Sequence, residues 1–131
     1  FDISLEYGIY VECYIPHDLM TICSLNGDLK YNIYGPNWDT ETHGINHYGP
    51  VVFCGNRIVA LYSGEKSFTK EGRSNWPTNF LIFDLEGNYL KTLETGYKIA
   101  RFCYDKDNNR IIMSMDDDIQ FGYLDMKEFL D

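Results

Sequence analysis

An all-β fold of short antiparallel hairpins is what this sequence predicts, and three observations carry it. Helical periodicity is nearly absent, with only the short tail from Lys127 to Leu130 fitting a helix. Apolar and polar residues alternate in short runs along most of the chain, as half-buried strands require. Residues that favour tight hairpins punctuate those runs.

The elements follow in order. Ile3, Leu5 and Tyr7 alternate with Ser4 and Glu6, and Ile9, Val11, Cys13 and Ile15 alternate with Tyr10, Glu12 and Tyr14. Further strands are expected at 19–25, 29–34, 51–54, 57–62, 80–85, 89–93, 99–104, 110–115 and 119–125. Asn26-Gly27-Asp28, Gly55-Asn56, Glu86-Gly87-Asn88 and Asp105-Lys106-Asp107-Asn108-Asn109 form the turns. Asp105, Asp107 and Asn109 have the spacing that opens a calcium loop, but the following Gly and the distal Glu are missing, so a plain turn is expected.

A repeat inside this pattern points to the architecture. Phe53-Cys54 followed by Asn56-Arg57-Ile58-Val59 returns as Phe102-Cys103 followed by Asn109-Arg110-Ile111-Ile112. Ser24-Leu25-Asn26-Gly27-Asp28 returns as Asp84-Leu85-Glu86-Gly87-Asn88, and Phe83-Asp84-Leu85 partly returns as Leu124-Asp125-Met126. Several strands are apolar on both faces, among them Phe80-Leu81-Ile82-Phe83 and Ile58-Val59-Ala60-Leu61. Hairpin sheets normally expose one face, so two apolar faces require a sheet packed on each side. Four-stranded antiparallel units stacked face to face are the blades of a β-propeller. The expected fold is therefore a partial propeller of about two and a half to three blades. Residues 1–34 form an incomplete blade, 50–94 a complete one and 99–131 a further one. Closed propellers typically have four to eight blades. The chain, which starts at Phe1 without an initiator Met or a leader-like stretch, is thus expected to be a piece of a larger propeller or to associate.

The stretch Thr78-Asn-Phe-Leu-Ile-Phe-Asp-Leu-Glu-Gly-Asn-Tyr-Leu-Lys, then Ile99-Ala-Arg-Phe-Cys-Tyr-Asp, then Asn109-Arg-Ile-Ile, resembles the TolB-like six-bladed β-propeller family of bacterial envelope proteins. The likeness covers most of the chain and corresponds to the family's C-terminal blades. It implies a propeller without assigned enzymatic activity, located in the cell envelope as a periplasmic protein or surface lipoprotein.

Composition narrows the function classes. Among 131 residues, 20 Asp and Glu against 11 Lys and Arg give a net charge of −9. Nucleic-acid binding needs clustered positive charge, so it is not expected. The longest apolar run is five residues, Ile58 to Tyr62, too short to insert into a bilayer of about 30 Å. Cys13, Cys23, Cys54 and Cys103 lie in apolar strand-like stretches without metal-type spacing and are expected as free thiols.

Candidate site residues follow from strand alternation. With blade strands labelled a to d from the axis outward, a–b and c–d turns share one end, and b–c and d–a loops share the other. All the short turns then fall at one end. The two long loops, 35–49 and 63–78, fall at the other with 95–97 and 116–118. Binding residues concentrate on loops carried by a rigid scaffold, so the long-loop end is the expected site. Its candidates are Trp38, His43, His47, Arg73, Trp76 and Asp116. His43 and His47 have the i, i+4 spacing that zinc sites use on helices, but Gly44 argues against a helix and no metal is expected. Arg73 with Trp76 suits a carboxylate or sugar through bidentate bonding and stacking. No nucleophile motif is present, and no cofactor is expected. The function expected is a non-enzymatic module binding a protein or glycan partner. The alternatives are part of a metal-dependent propeller hydrolase or lactonase, or structural blades completing a larger ring. Missing blades of a parent propeller, or self-association, would cover the open edges.

Overall fold

Eleven short strands in three antiparallel sheets realise this pattern in a computed structural model that describes residues 1–39 and 44–127. The first sheet orders β1 (Asp2–Ser4), β2 (Ile9–Cys13), β3 (Leu19–Ser24) and β4 (Leu29–Tyr34) side by side. The second orders β5 (Ile45–Cys54), β6 (Arg57–Lys66), β7 (Asn79–Phe83) and β8 (Tyr89–Glu94) in the same way. The third holds β9 (Ile99–Asp105), β10 (Arg110–Met115) and β11 (Phe121–Asp125). Residues 1–34, expected to be an incomplete blade, thus carry a full set of four strands. There is no helix among the described residues, and the tail at 128–130 lies outside them.

The second sheet is covered on both faces, as its doubly apolar strands require. Ile58, Ala60 and Phe83 pack on Ile9, Val11, Met20 and Ile22 of the first sheet. Val59, Leu61, Phe80 and Ile82 pack on Ile99, Phe102, Ile111, Met113 and Met115 of the third. Burying one such side chain is worth roughly 1.5–3 kcal/mol, so these two layers hold the stack together. The innermost strands β1, β5 and β9 run side by side, with β5 touching both others. The fold is a partial β-propeller of three blades.

The turns explain why the units look alike. Gly27 (φ 96°) and Gly87 (φ 84°) both take left-handed backbone, donating to Ser24 and Asp84 carbonyls at 2.9 and 3.1 Å. A register shift follows in each sheet at the same place, between Ile22 and Cys23 and between Ile82 and Phe83. At Gly87 a side chain would also meet Ile33 Cδ1 at 2.4 Å, so this turn docks on the first sheet. The turn at 105–109 closes on itself. Asp105 accepts from Asn108 at 2.9 Å and from Arg110 at 2.8 Å, while Asn109 is left-handed (φ 49°).

Two expectations are corrected, and the longer turn expected at 105–109 is given its register. Leu5 and Tyr7 do not extend β1, because Gly8 (φ 67°) and a bond from Tyr7 N–H to Ser4 Oγ turn the chain there. The pair β5–β6 runs well past its expected ends at both long loops. On the inner strand the repeat is displaced: Arg57 pairs with Cys54, but Arg110 pairs with Asp105, two residues beyond Cys103. The displacement is even, so the same face of each strand still points the same way.

Candidate functional site

The described parts of the two long loops, 44–49 and 63–78, are well ordered by hydrogen bonds. Ile45 pairs with Lys66 and Asn46 with Glu65, so the end of one loop and the start of the other form a two-stranded arm. Ser67 fastens the arm, donating through N–H and Oγ to the Gly44 carbonyl at 2.7 and 3.1 Å and contacting Asn46 Oδ1 at 2.9 Å. Beyond it the chain doubles back. Phe68 bridges Ser74, Thr69 N–H reaches the Arg73 carbonyl at 2.7 Å, and Asn75 N–H returns to the Ser67 carbonyl at 3.0 Å.

These folded segments enclose a pocket of about 290 Å³ at the long-loop end. Its wall takes residues 46–50 of β5, Ser63, Ser67, Phe68 and residues 74–77 from the second sheet. Ile15 comes from the loop after β2 and Ala100 from β9, so all three blades contribute. Aromatic surfaces (Tyr48, Phe68, Trp76) alternate with amides and hydroxyls (Asn46, Asn75, Ser63, Ser67, Ser74). No Lys, Arg, Asp or Glu lines the described wall.

Of the candidate residues, His47 and Trp76 meet in this pocket. His47 is 1% exposed, donates its backbone N–H to the Ile15 carbonyl at 2.7 Å, and holds its ring 6.4 Å from that of Tyr62. Trp76 donates its indole N–H to Asp116 at 2.8 Å, joining the b–c loops of the second and third blades. Asp116 therefore reaches the pocket through Trp76. Trp38 packs on Tyr34 at 4.8 Å between ring centres and lines none of the pocket. Arg73 sits in the exposed turn after Phe68 and does not line it either. His43 lies outside the described residues. Among the described residues no three His, Cys, Asp or Glu side chains are grouped to hold a metal ion.

Sequence reasoning missed Asp18, which is 1% exposed. Its carboxylate accepts from Tyr62 OH at 3.0 Å and Asn37 N–H at 3.1 Å, and its carbonyl accepts Gly35 N–H at 2.8 Å. A β-carbon at Gly35 would stand 2.1 Å from the carboxyl atoms, so glycine makes the approach possible. Asp18 borders a second groove of about 360 Å³ between the first two sheets, with Tyr34, Tyr48, Tyr62 and Tyr89. Burial, then nearby Cys13 and Asp18, pushes the Tyr48 phenol above its ordinary pKa, and burial followed by Asp18 does the same for Tyr62. Both stay neutral, and Tyr62 donates to Asp18. The matching groove between the second and third sheets, about 430 Å³, is lined by Leu93, Met113, Met115 and Leu124 and opens beside β11. In the first groove Tyr89 and Thr92 of β8 line the wall; among the described residues the third sheet has no fourth strand to do so.

No protein-family model matches the chain, and no curated protein matches it.

Proposed function

We propose that this chain is a non-enzymatic binding module whose long-loop pocket takes a neutral sugar ring of a glycan. The observation that carries this is the make-up of the pocket wall. Phe68 and Trp76 offer aromatic surface against which the apolar face of a sugar can pack. Asn46, Asn75 and three serines offer the mixed donors and acceptors that hydroxyl groups need. The lack of charged side chains in the described wall favours a neutral ligand. A volume of about 290 Å³ is at the small end of ligand sites, which run about 300–1,000 Å³.

Binding is favoured over catalysis by what the polar groups already do. Ser67 Oγ bonds the Gly44 carbonyl and Asn46, not a general base. A metal-dependent hydrolase would need a ligand set, and none is grouped among the described residues. The TolB-like resemblance implies a cell-envelope setting for such a module.

Calorimetry with a panel of neutral oligosaccharides tests this. Binding is expected to fall about two- to tenfold in each of Phe68→Ala and Trp76→Ala, a stacking surface being worth roughly 0.5–1.5 kcal/mol. Arg73→Ala should leave it unchanged. No binding of any neutral glycan, or binding that survives both aromatic substitutions, would overturn the proposal.

A further inference from the structure

We infer that the groove between the first two sheets is a second binding site, one that takes a small quaternary ammonium solute of the choline type. Four tyrosines and one carboxylate line it, Tyr34, Tyr48, Tyr62 and Tyr89 with Asp18. Among the described residues no Lys, Arg or His lines this groove. A methylated ammonium is apolar over its surface yet carries a full positive charge, so aromatic rings with an anion behind them suit it. The groove, about 360 Å³, lies within the range of small-ligand sites, about 300–1,000 Å³. It shares only Tyr48 with the sugar pocket, so the two readings stand independently.

Each ring is held in place. Tyr62 donates its OH to Asp18 at 3.0 Å, which draws negative charge toward the ring and favours a cation beside it. Tyr48 meets Tyr62 with ring centres 5.0 Å apart and planes at 71°, so the two form a corner and not a flat stack. At the exposed rim Tyr34 packs on Trp38, with 4.8 Å between ring centres. Tyr89, also exposed, has its OH 2.7 Å from Thr92 Oγ1 and meets Phe83 edge-on. Rings anchored in this way need little further ordering when a ligand arrives. The carboxylate behind them is buried, and its described side-chain donors, Tyr62 OH and Asn37 N–H, are both neutral. A buried charge is only weakly screened by salt. Packing alone does not call for this set, since buried Met113 and Met115 line the matching groove between the second and third sheets.

Calorimetry of the full chain with choline chloride, at an ionic strength held constant with sodium chloride, tests this. Choline is expected to bind, and its uncharged isostere with carbon in place of nitrogen to bind at least about tenfold more weakly. Tyr34→Leu and Tyr89→Leu change exposed rings outside both core clusters. Each should weaken choline about two- to fivefold. Asp18→Asn keeps an acceptor for Tyr62 but removes the charge, and should weaken choline at least about tenfold. No binding of choline, equal binding of the isostere, or choline binding unchanged in both tyrosine variants would overturn the inference. So would capture of phosphatidylcholine vesicles without binding of free choline, which would place the ligand on a lipid surface.

Discussion

Gly35→Ala is the substitution that most directly tests how the first blade is joined to the second. The new β-carbon would lie 2.1 Å from Cγ and both oxygens of Asp18, so the carboxylate has to move. Moving it breaks the bonds from Tyr62 OH at 3.0 Å and Asn37 N–H at 3.1 Å in a site where Asp18 is 1% exposed. Hydrogen bonds to a charged group are worth about 1.5–3 kcal/mol each, so the loss should be about 3–6 kcal/mol. That is a large share of a typical total of about 5–15 kcal/mol. Urea unfolding followed by tryptophan fluorescence measures it. Asp18→Ala also destabilises, by leaving Tyr62 without its acceptor, but it removes the clash. The double variant should therefore be no less stable than Asp18→Ala alone. A Gly35→Ala protein within about 1 kcal/mol of the parent, or strictly additive losses in the double variant, would refute the reasoning.

Three further outcomes are expected. Trp76→Phe keeps an aromatic wall but loses the bond to Asp116; hydrogen exchange at 116–118 should quicken, and unchanged exchange would show that the contact anchors nothing. Hydrogen bonds from Asn108 and Arg110 hold Asp105 below its ordinary pKa, and the N–H groups of Asp118 and Lys98 hold Asp117 below it. The unfolded chain takes up those protons first, so stability present above the ordinary carboxylate value of about 4 is lost as pH falls through the lower folded values. Asp105→Asn and Asp117→Asn should each make the acid limb of the stability curve shallower; an unaltered limb in both would contradict the assignment. Burial, then Asp2, pushes the Cys54 thiol up to about 12, and burial pushes Cys13 up as well. Alkylation of both at neutral pH should be limited by unfolding, and rapid labelling of the folded protein would show that the inner strands open.

Local physics made most of the fold legible. Asn26-Gly27-Asp28 and Glu86-Gly87-Asn88 give tight turns because glycine alone adopts φ near 90° cheaply, and they recur because the unit recurs. The run Phe80-Leu81-Ile82-Phe83 required two covering sheets, and two cover it. Alternation also sorted the loops correctly into two ends, which brought His47 and Trp76 within reach of one pocket.

Contacts between residues distant in the chain were beyond such reasoning. Strand alternation stops at residue 51, yet β5 begins at Ile45, because pairing with Lys66 satisfies a backbone that composition marks as loop. Arg73 beside Trp76 in sequence looked like a joint site, but of the two only Trp76 lines the pocket. Asp18 carried no local signal, since its role depends on Gly35 and Tyr62 arriving from other strands. The sequence by itself determined the strands, their hairpins and the stacking of blades, because turn chemistry and a period of two are properties of neighbouring residues. The tertiary structure decided which side chains share a pocket and which carboxylate is buried, because those depend on where three sheets meet.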